Sequence, residues 1–345
     1  MKKFAFSTAL LATVLFTSLI STPSFSNQSV LINEDIPNSY TVVRGDTLWD
    51  ISAVFLQDPW MWPEIWYANQ QIDNPHLIYP GDVISLVYIN GVPQLKIVRS
   101  REVKLSPKIR SLDHDDAISA LPLNVISTFL SKTRVTDATL NGAPYVLGGA
   151  ERRILVGMSD DFYARGDFTA NRLNYGIYRR GEPYTDPETG ELLGIRAIDI
   201  GAARIKALEK DVATLSVSRA EGEIRIKDRL LVVEERTLAS TFYPRAPETA
   251  ITGSVMHMEE GVRNAGALDV VALNRGDRDG LQSGDTLAIF KRGELVKDRV
   301  AGERVRLPDE RIGLLMVFDT YEKMSFALVM EADRQIDLGD LLRNP

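Results

Sequence analysis

The feature of this sequence that most constrains its fold is a segment that occurs twice in the C-terminal two-thirds. Residues 175–182 read YGIYRRGE and residues 287–294 read LAIFKRGE, so each position recurs 112 residues later. Two copies of one folding unit are therefore expected, at about residues 142–243 and 248–345. Further segments with the same separation are 217–220 with 329–332 and 228–230 with 340–342.

Each copy consists of short apolar segments that are separated by glycine-containing turns. In the alignment of the copies, Gly166 matches Gly284 and Gly194 matches Gly313. Short strands at even spacing, with turn residues between them, are typical of small antiparallel barrels and sandwiches. We therefore predict a multidomain chain in which two tandem, mainly-β, barrel-like or sandwich-like units follow a smaller module.

The N-terminus has the layout of a secretory signal peptide. Lys2 and Lys3 precede an apolar stretch at 4–20, and small residues surround Phe25. An uncleaved membrane anchor is disfavoured, because the apolar run is short and contains several Ser and Thr residues. The sequence thus predicts cleavage after about residue 26, a mature protein in the periplasm, and no transmembrane segment in it.

Composition excludes several classes of function. The formal net charge is −7, which makes nucleic acid a poor partner, since binding to it depends on cationic neutralisation of phosphates. The absence of cysteine excludes thiol nucleophiles and Cys-ligated metals. His76, His114 and His257 are far apart and lack the spacing of a zinc hydrolase. We predict a protein without catalytic residues, metal or cofactor, and a wall hydrolase that acts through a glutamate stays open as an alternative.

Residues 39–90 have the order strand, helix, helix, strand. The motif positions are Tyr40, Val42, Gly45, Asp46, Thr47, Leu48, Ile51, Asn69, Pro80, Gly81, Asp82 and Ile84. This pattern resembles a LysM domain, which implies an α+β (βααβ) fold and binding of peptidoglycan through its N-acetylglucosamine-containing glycan. The glycan-binding positions that the resemblance implies form two loops, namely Gly45, Asp46, Thr47 and Leu48 in one and Leu77, Ile78, Tyr79 and Pro80 in the other.

Three tryptophans, Trp60, Trp62 and Trp66, lie within this module. They could stack on sugar, but the spacing of Trp62 and Trp66 favours packing into a small core. The module follows a predicted linker at 27–38. It precedes a connector at 91–141, which holds a basic stretch at 94–110 and a short amphipathic helix within Ile118–Leu130. The basic stretch is interpreted as the solvated face of a strand pair, with contact to an anionic partner as the alternative.

Two longer motifs suggest a larger relationship. Residues 270–285, VVALNRGDRDGLQSGD, resemble part of the C-terminal domain of flagellar assembly protein T. Together with residues 184–194, YTDPETGELLG, and the N-terminal module, the arrangement resembles the type IV pilus secretin-associated protein family. That resemblance implies a non-enzymatic periplasmic anchor, with peptidoglycan and the outer-membrane secretin ring as its partners. A scaffold for another envelope machine, such as a flagellar ring, is the alternative.

Overall fold

The computed structural model describes most of the chain outside its N-terminus. The described residues are 30–66, 78–90, 92–98, 126, 129, 133–136, 138–150, 156–168, 172–233, 242–259 and 264–345. The predicted signal peptide and residues 99–110 of the basic stretch lie outside these ranges. Of the predicted helix at Ile118–Leu130, only Ile126 and Phe129 are described, and both have helical conformation.

The first module is a three-stranded sheet covered by two short helices. Its elements are β1 (Tyr40–Thr41), α1 (Leu48–Phe55), α2 (Trp62–Trp66), β2 (Val83–Ile89) and β3 (Val92–Val98). Strand β2 pairs with β1 on one side and, along its whole length, with β3 on the other. The interpretation of the basic stretch at 94–110 as part of a strand pair is confirmed for residues 94–98, but the β2–β3 hairpin itself was not predicted. Its signal was the Asn90-Gly91 dipeptide, which favours tight hairpin turns, and Asn90 has the positive φ of 53° that such turns need.

A helix cap and buried tryptophans account for two of the sequence features of this module. Thr47 caps α1 with a capping box, in which its hydroxyl accepts from the Asp50 N–H and the Asp50 carboxylate accepts from the Thr47 N–H. The packing interpretation of the tryptophans is confirmed, because Trp60, Trp62 and Trp66 are only 6%, 1% and 4% exposed.

Part of the segment predicted as a linker also belongs to this module. Ile32 forms a β-bridge with Leu56, and the Asn33 side chain donates a hydrogen bond of 3.0 Å to the carbonyl of Ala53. The backbone from residue 31 to 33 therefore packs along the end of α1.

The second region is a mainly-β unit. Its strands are β4 (Thr133–Thr136), β5 (Tyr145–Gly149), β6 (Asp161–Arg165), β7 (Asn174–Thr185), β8 (Leu192–Glu209), β9 (Val212–Ala220) and β10 (Arg229–Val232). Six of them pair in the ring β5-β6-β9-β8-β7-β10, which closes because β10 pairs with β5, and β4 adds to β8. We call this ring the first barrel.

The third region is a closed six-stranded barrel, here the second barrel. Its strands are β11 (Thr252–Met258), β12 (Val270–Leu273), β13 (Thr286–Lys291), β16 (Glu310–Thr320), β17 (Ser325–Ala332) and β18 (Leu341–Arg343). They pair in the order β11-β12-β17-β16-β13-β18. A separate two-stranded hairpin, β14 (Leu295–Lys297) and β15 (Arg304–Arg306), projects between β13 and β16.

The two barrels have the same topology and the same register. Ile177 pairs with Leu230 in the first barrel and Ile289 pairs with Leu342 in the second, each residue lying 112 positions after its counterpart. The predicted repeat of mainly-β units is therefore confirmed. Both aligned glycine pairs were wrong. Gly313 corresponds to Gly201 rather than to Gly194, because Gly201 pairs with Ala220 as Gly313 pairs with Ala332. Gly166 follows β6, which is equivalent to β12 because Ala164 pairs with Ala213 as Leu273 pairs with Ser325, whereas Gly284 precedes β13.

The repeat extends to a buried ion pair in each unit. The Arg179 guanidinium donates to Asp228 at 3.0 and 2.9 Å, and the Lys291 ammonium donates to Asp340 at 3.1 Å. Both carboxylates are at most 5% exposed. Each also accepts a backbone N–H from three residues earlier in the chain at 2.8 Å, which fixes the turn before the last strand.

Three clusters of apolar side chains hold the molecule together. One fills the first barrel and a second fills the second barrel. The third joins the helices of the N-terminal module to the outer face of the second barrel, through residues that include Met316, Phe326 and Leu328. In the part of the chain that the structure describes, no helix has the length and apolar character needed to cross a membrane.

Candidate functional site

The two loops that the sequence analysis paired lie side by side. The Val42 N–H donates to the carbonyl of Asp82 at 2.9 Å, and the Gly81 N–H donates back to the carbonyl of Val42 at 2.8 Å. These bonds continue the β1–β2 pairing beyond the ends of the strands. They fix the loop before α1 next to the loop before β2, and we call the surface between these two loops the groove.

An aspartate builds the first loop. One carboxylate oxygen of Asp46 accepts the Val43 N–H at 2.8 Å and the Tyr40 hydroxyl at 2.9 Å. Burial, and then the hydrogen bond to Asp46, raises the pKa of Tyr40, so this hydroxyl stays protonated as a donor. Gly45 has φ 102°, and a side chain there would meet open space. Glycine is thus needed for its backbone conformation, which L-residues rarely adopt.

The second loop is built in the same way. The Asp82 carboxylate accepts the Tyr79 N–H at 3.1 Å, and the Asp82 N–H donates to the Tyr79 carbonyl at 3.0 Å. Gly81 has φ 96° and likewise faces open space. Each side of the groove is therefore a tight turn. An aspartate carboxylate stabilises the turn by accepting a backbone N–H, and a glycine supplies the left-handed backbone conformation that the turn needs.

The predicted site residues divide by exposure. Gly45 and Pro80 are exposed, and Asp46 and Tyr79 are half-buried. Thr47, Leu48 and Ile78 are at most 8% exposed, so their side chains pack in the core and their contribution to the groove is its shape. Leu77 lies outside the described residues. The surface that remains is mostly backbone, with the ring of Pro80 and one side of Tyr79.

Two neighbours of this surface were not singled out from the sequence. Val43 is 55% exposed, and Arg44 is exposed beside Gly45. Strand β1 ends at Thr41, so Val43 belongs to the loop before α1. An exposed apolar side chain beside an exposed glycine turn is a surface that the methyl of an N-acetyl group fits.

The other end of α1 faces the second barrel. Trp62 lies with its ring centroid 5.8 Å from that of Tyr243, and the Arg311 guanidinium lies 3.7 Å from the Asp58 carboxylate. Helix α1 starts at the groove and its eight residues span about 12 Å. The module is thus held at one end and presents the groove at the other.

The described residues contain no group of three or more metal-ligating side chains. His257 lies 3.9 Å from Glu259, within the contact between the barrels, where Glu259 also accepts the Tyr184 hydroxyl at 2.7 Å. Burial, and then the charge of Glu259, raises the pKa of Tyr184, which keeps its proton for this bond. These residues join the two barrels, and this structural contact accounts for them.

Comparison with known proteins bears on the N-terminal module. Residues 40–87 match the LysM domain family. The uncharacterized protein YqbP of Bacillus subtilis is 34% identical over 64 residues, which cover 16% of this chain and 29% of that protein. The chain thus spans less than a third of that relative. LysM is a binding module for peptidoglycan and related carbohydrates, which is consistent with a non-enzymatic role and an extracytoplasmic location. Residues 40–87 are a LysM domain, followed by a mostly-β region that includes a six-stranded barrel.

Proposed function

We propose that the groove between the loops at residues 43–48 and 77–81 binds the N-acetylglucosamine-containing glycan of peptidoglycan. The strongest support is a pair of adjacent turns. In each turn an aspartate carboxylate accepts a backbone N–H and a glycine has positive φ, and hydrogen bonds of the Val42 backbone hold the two turns together. They leave Gly45 and Pro80 exposed next to Val43, whose side chain is 55% exposed. An exposed glycine turn beside apolar side chains suits an acetamide, which needs one donor, one acceptor and an apolar wall.

Charge favours the sugar over the peptide part of peptidoglycan. The described residues of the module carry Asp46, Asp50, Asp58, Glu64 and Asp82 against Arg44 and Lys96. A surface with this excess of acids repels the carboxylates of the stem peptides. The neutral glycan strand is therefore the better ligand.

The groove is tested by sedimentation of the mature chain with purified sacculi. Tyr79→Ala combined with Val43→Ser is expected to reduce the bound fraction at least tenfold, because both walls of the acetyl site are removed. Tyr88→Ala is the matched control, since Tyr88 is 63% exposed on the same sheet but lies near the β2–β3 turn. Equal binding by the groove variant and the control would remove this assignment.

We further propose that the chain is a non-enzymatic periplasmic anchor, which tethers an outer-membrane secretin of a type IV pilus to the cell wall. Support comes from the resemblance of the whole arrangement, a LysM module followed by two β-units with the motifs at 184–194 and 270–285, to the secretin-associated family and from the signal-peptide layout at 1–26. Many weak glycan contacts around a ring would resist pilus retraction, because linked sites gain effective concentration.

Binding of the mature chain to purified secretin tests the tether. We expect a complex that also co-sediments with sacculi. Binding to flagellar ring proteins in place of secretin would favour the alternative scaffold. Release of muropeptides from sacculi by the mature chain would favour a hydrolase and overturn the anchor.

A further inference from the structure

The two barrels each carry a hairpin with the same turn. In the β7–β8 hairpin, Asp186 accepts the N–H groups of Glu188 and Thr189 at 2.8 and 3.2 Å. In the β14–β15 hairpin, Asp298 accepts those of Val300 and Ala301 at 2.7 and 3.1 Å. Glycines with φ 73° and 81°, Gly190 and Gly302, close the two turns. All these positions are again 112 residues apart.

The first of these hairpins, β7–β8, packs against the second barrel. Its tip, residues 185–192, has three acids and no base. Glu191 forms a bidentate pair with Arg278, at 2.9 Å for both bonds, and accepts from Lys323 at 2.8 Å. Tyr184 and Gly194, which pair across the hairpin, are buried against the second barrel. In this fold the hairpin thus docks through an apolar face with a rim of ion pairs.

The second hairpin has the same turn, but in the described part of the chain its apolar side chains are exposed to solvent. Val296 and Val305 pair across it, in the place of Tyr184 and Gly194, and are 36% and 42% exposed. Val300 at the tip is 98% exposed. Leu295 and Leu307 are also exposed, at 50% and 45%.

Its charges are opposite to those of the first hairpin. Residues 295–307 have four bases and two acids. Three of the bases, Lys297, Arg299 and Arg304, are exposed and have no hydrogen bond or ion pair within the described ranges. A partner for this hairpin must therefore supply carboxylates around an apolar strip.

The equivalent face of the first barrel, in a second copy of this chain, does not offer that surface. On the first barrel, the residues equivalent to the seat of the β7–β8 hairpin are polar: Thr214 and Asp211 take the places of Phe326 and Lys323. Asp211 is already paired with Arg165 at 2.7 Å. Pairing of two β14–β15 hairpins would bring like charges together, and basic residues on edge strands oppose such pairing.

We propose that the β14–β15 hairpin, with its apolar face of Val296 and Val305 and its rim of Lys297, Arg299 and Arg304, docks onto an acidic, apolar protein surface of the envelope partner. The proposal rests on the tether proposed above and assigns its contact surface. The seated β7–β8 hairpin favours a protein over an anionic lipid surface, because it shows this element docking on protein with its strand face and not with its tip alone.

The test measures the affinity of the full mature chain for purified secretin. The triple variant Lys297→Glu, Arg299→Glu, Arg304→Glu is expected to bind at least tenfold more weakly, and the pair Val296→Ser, Val305→Ser similarly. The matched control is Arg172→Glu, Arg204→Glu, Lys210→Glu, which makes the same charge change at exposed sites of the first barrel. Sacculus binding should be the same for all variants, because the substituted residues are not part of the LysM loops.

The outcomes separate this inference from the proposed tether. Wild-type binding that only the hairpin variants weaken supports both. Equal binding by wild type, hairpin variants and control overturns the hairpin assignment and leaves the tether. No binding by the wild type overturns both. If the hairpin variants instead lower self-association by sedimentation velocity, or lower binding to phosphatidylglycerol vesicles, the proposed occupant is wrong.

Discussion

The two barrels share one topology but differ in their outer faces. On the second barrel, outward residues of β16 and β17 are buried, among them Met316, Phe326 and Leu328, each at 0% exposure. The equivalent positions of the first barrel are Arg204, Thr214 and Ser216, and Arg204 is exposed. The difference follows from what packs there, since Phe129 and Tyr184 lie against Phe326, with ring centroids 4.7 and 5.9 Å away. A repeat thus fixes the barrel interior and leaves the outer face free to become an interface.

The largest effect is expected from exchanging one residue of this outer face. Met316→Arg places the residue of the first barrel on the covered face of the second and buries an unpaired charge. We expect a loss of about 3–5 kcal/mol in the free energy of unfolding, measured by urea denaturation. The reciprocal Arg204→Met lies on a solvated face and should change stability by less than about 0.5 kcal/mol. Similar losses for both variants would contradict the difference between the faces.

A smaller effect is expected at the contact between the barrels. Tyr184→Phe removes the hydroxyl that donates to Glu259 at 2.7 Å, where both residues are 3% exposed. Loss of a buried donor to a carboxylate should reduce the free energy of unfolding by about 1–3 kcal/mol. Tyr163→Phe, at a site 43% exposed on the first barrel, is the control and should have little effect. A tyrosine-to-phenylalanine change that is neutral at both sites would mean that this bond does not help to seat the hairpin.

The smallest effect concerns pH and the two hairpins. The hydrogen bonds from Arg278 and then Lys323 lower the pKa of Glu191 to about 2, from an ordinary value of 4.5. A depressed carboxyl pKa stabilises the fold above pH 4.5, and this contribution is lost as the pH falls toward 2. The difference in thermal midpoint between the wild type and Glu191→Gln should therefore shrink over this range.

The β14–β15 hairpin supplies the control for that titration. Glu303 occupies the place of Glu191 there and forms no ion pair in the described part of the chain. Glu303→Gln removes the equivalent carboxylate without breaking an ion pair, so it is the matched control measured across the same pH range. A parallel loss in both variants would show that the effect is not due to the seating of the first hairpin.

Much of the fold could be predicted from the sequence. The separation of 112 residues is also the register difference between the paired strands of the two barrels. The alignment matched the wrong glycine at Gly194, because several short segments contain a glycine between apolar residues. Sequence similarity alone does not tell which of these glycines lies against a carbonyl of the neighbouring strand. Gly313 lies against the carbonyl of Glu331 and Gly201 against that of Arg219, and only the strand pairing reveals this.

The candidate site could be predicted in part. Turn residues such as Gly45 and Gly81 locate both loops, because their positive φ is a local requirement. The sequence could not tell that the Ile78 side chain points into the core, at 0% exposure, or that the Asp46 carboxylate is occupied by Val43 and Tyr40. Those outcomes depend on how β1 and β2 bring the loops together.

Local backbone preferences and short-range periodicity account for the LysM pattern at 40–87, the two repeated β-units and the matching hairpin turns, so these features can be read from the sequence. Long-range packing, in contrast, sets which hairpin is buried against the neighbouring barrel and which projects. Both hairpins have the same aspartate and glycine, at Asp186 and Gly190 and at Asp298 and Gly302. Their fates differ because Arg278 and Lys323 of the second barrel face the first hairpin, and such long-range complementarity has no local signature.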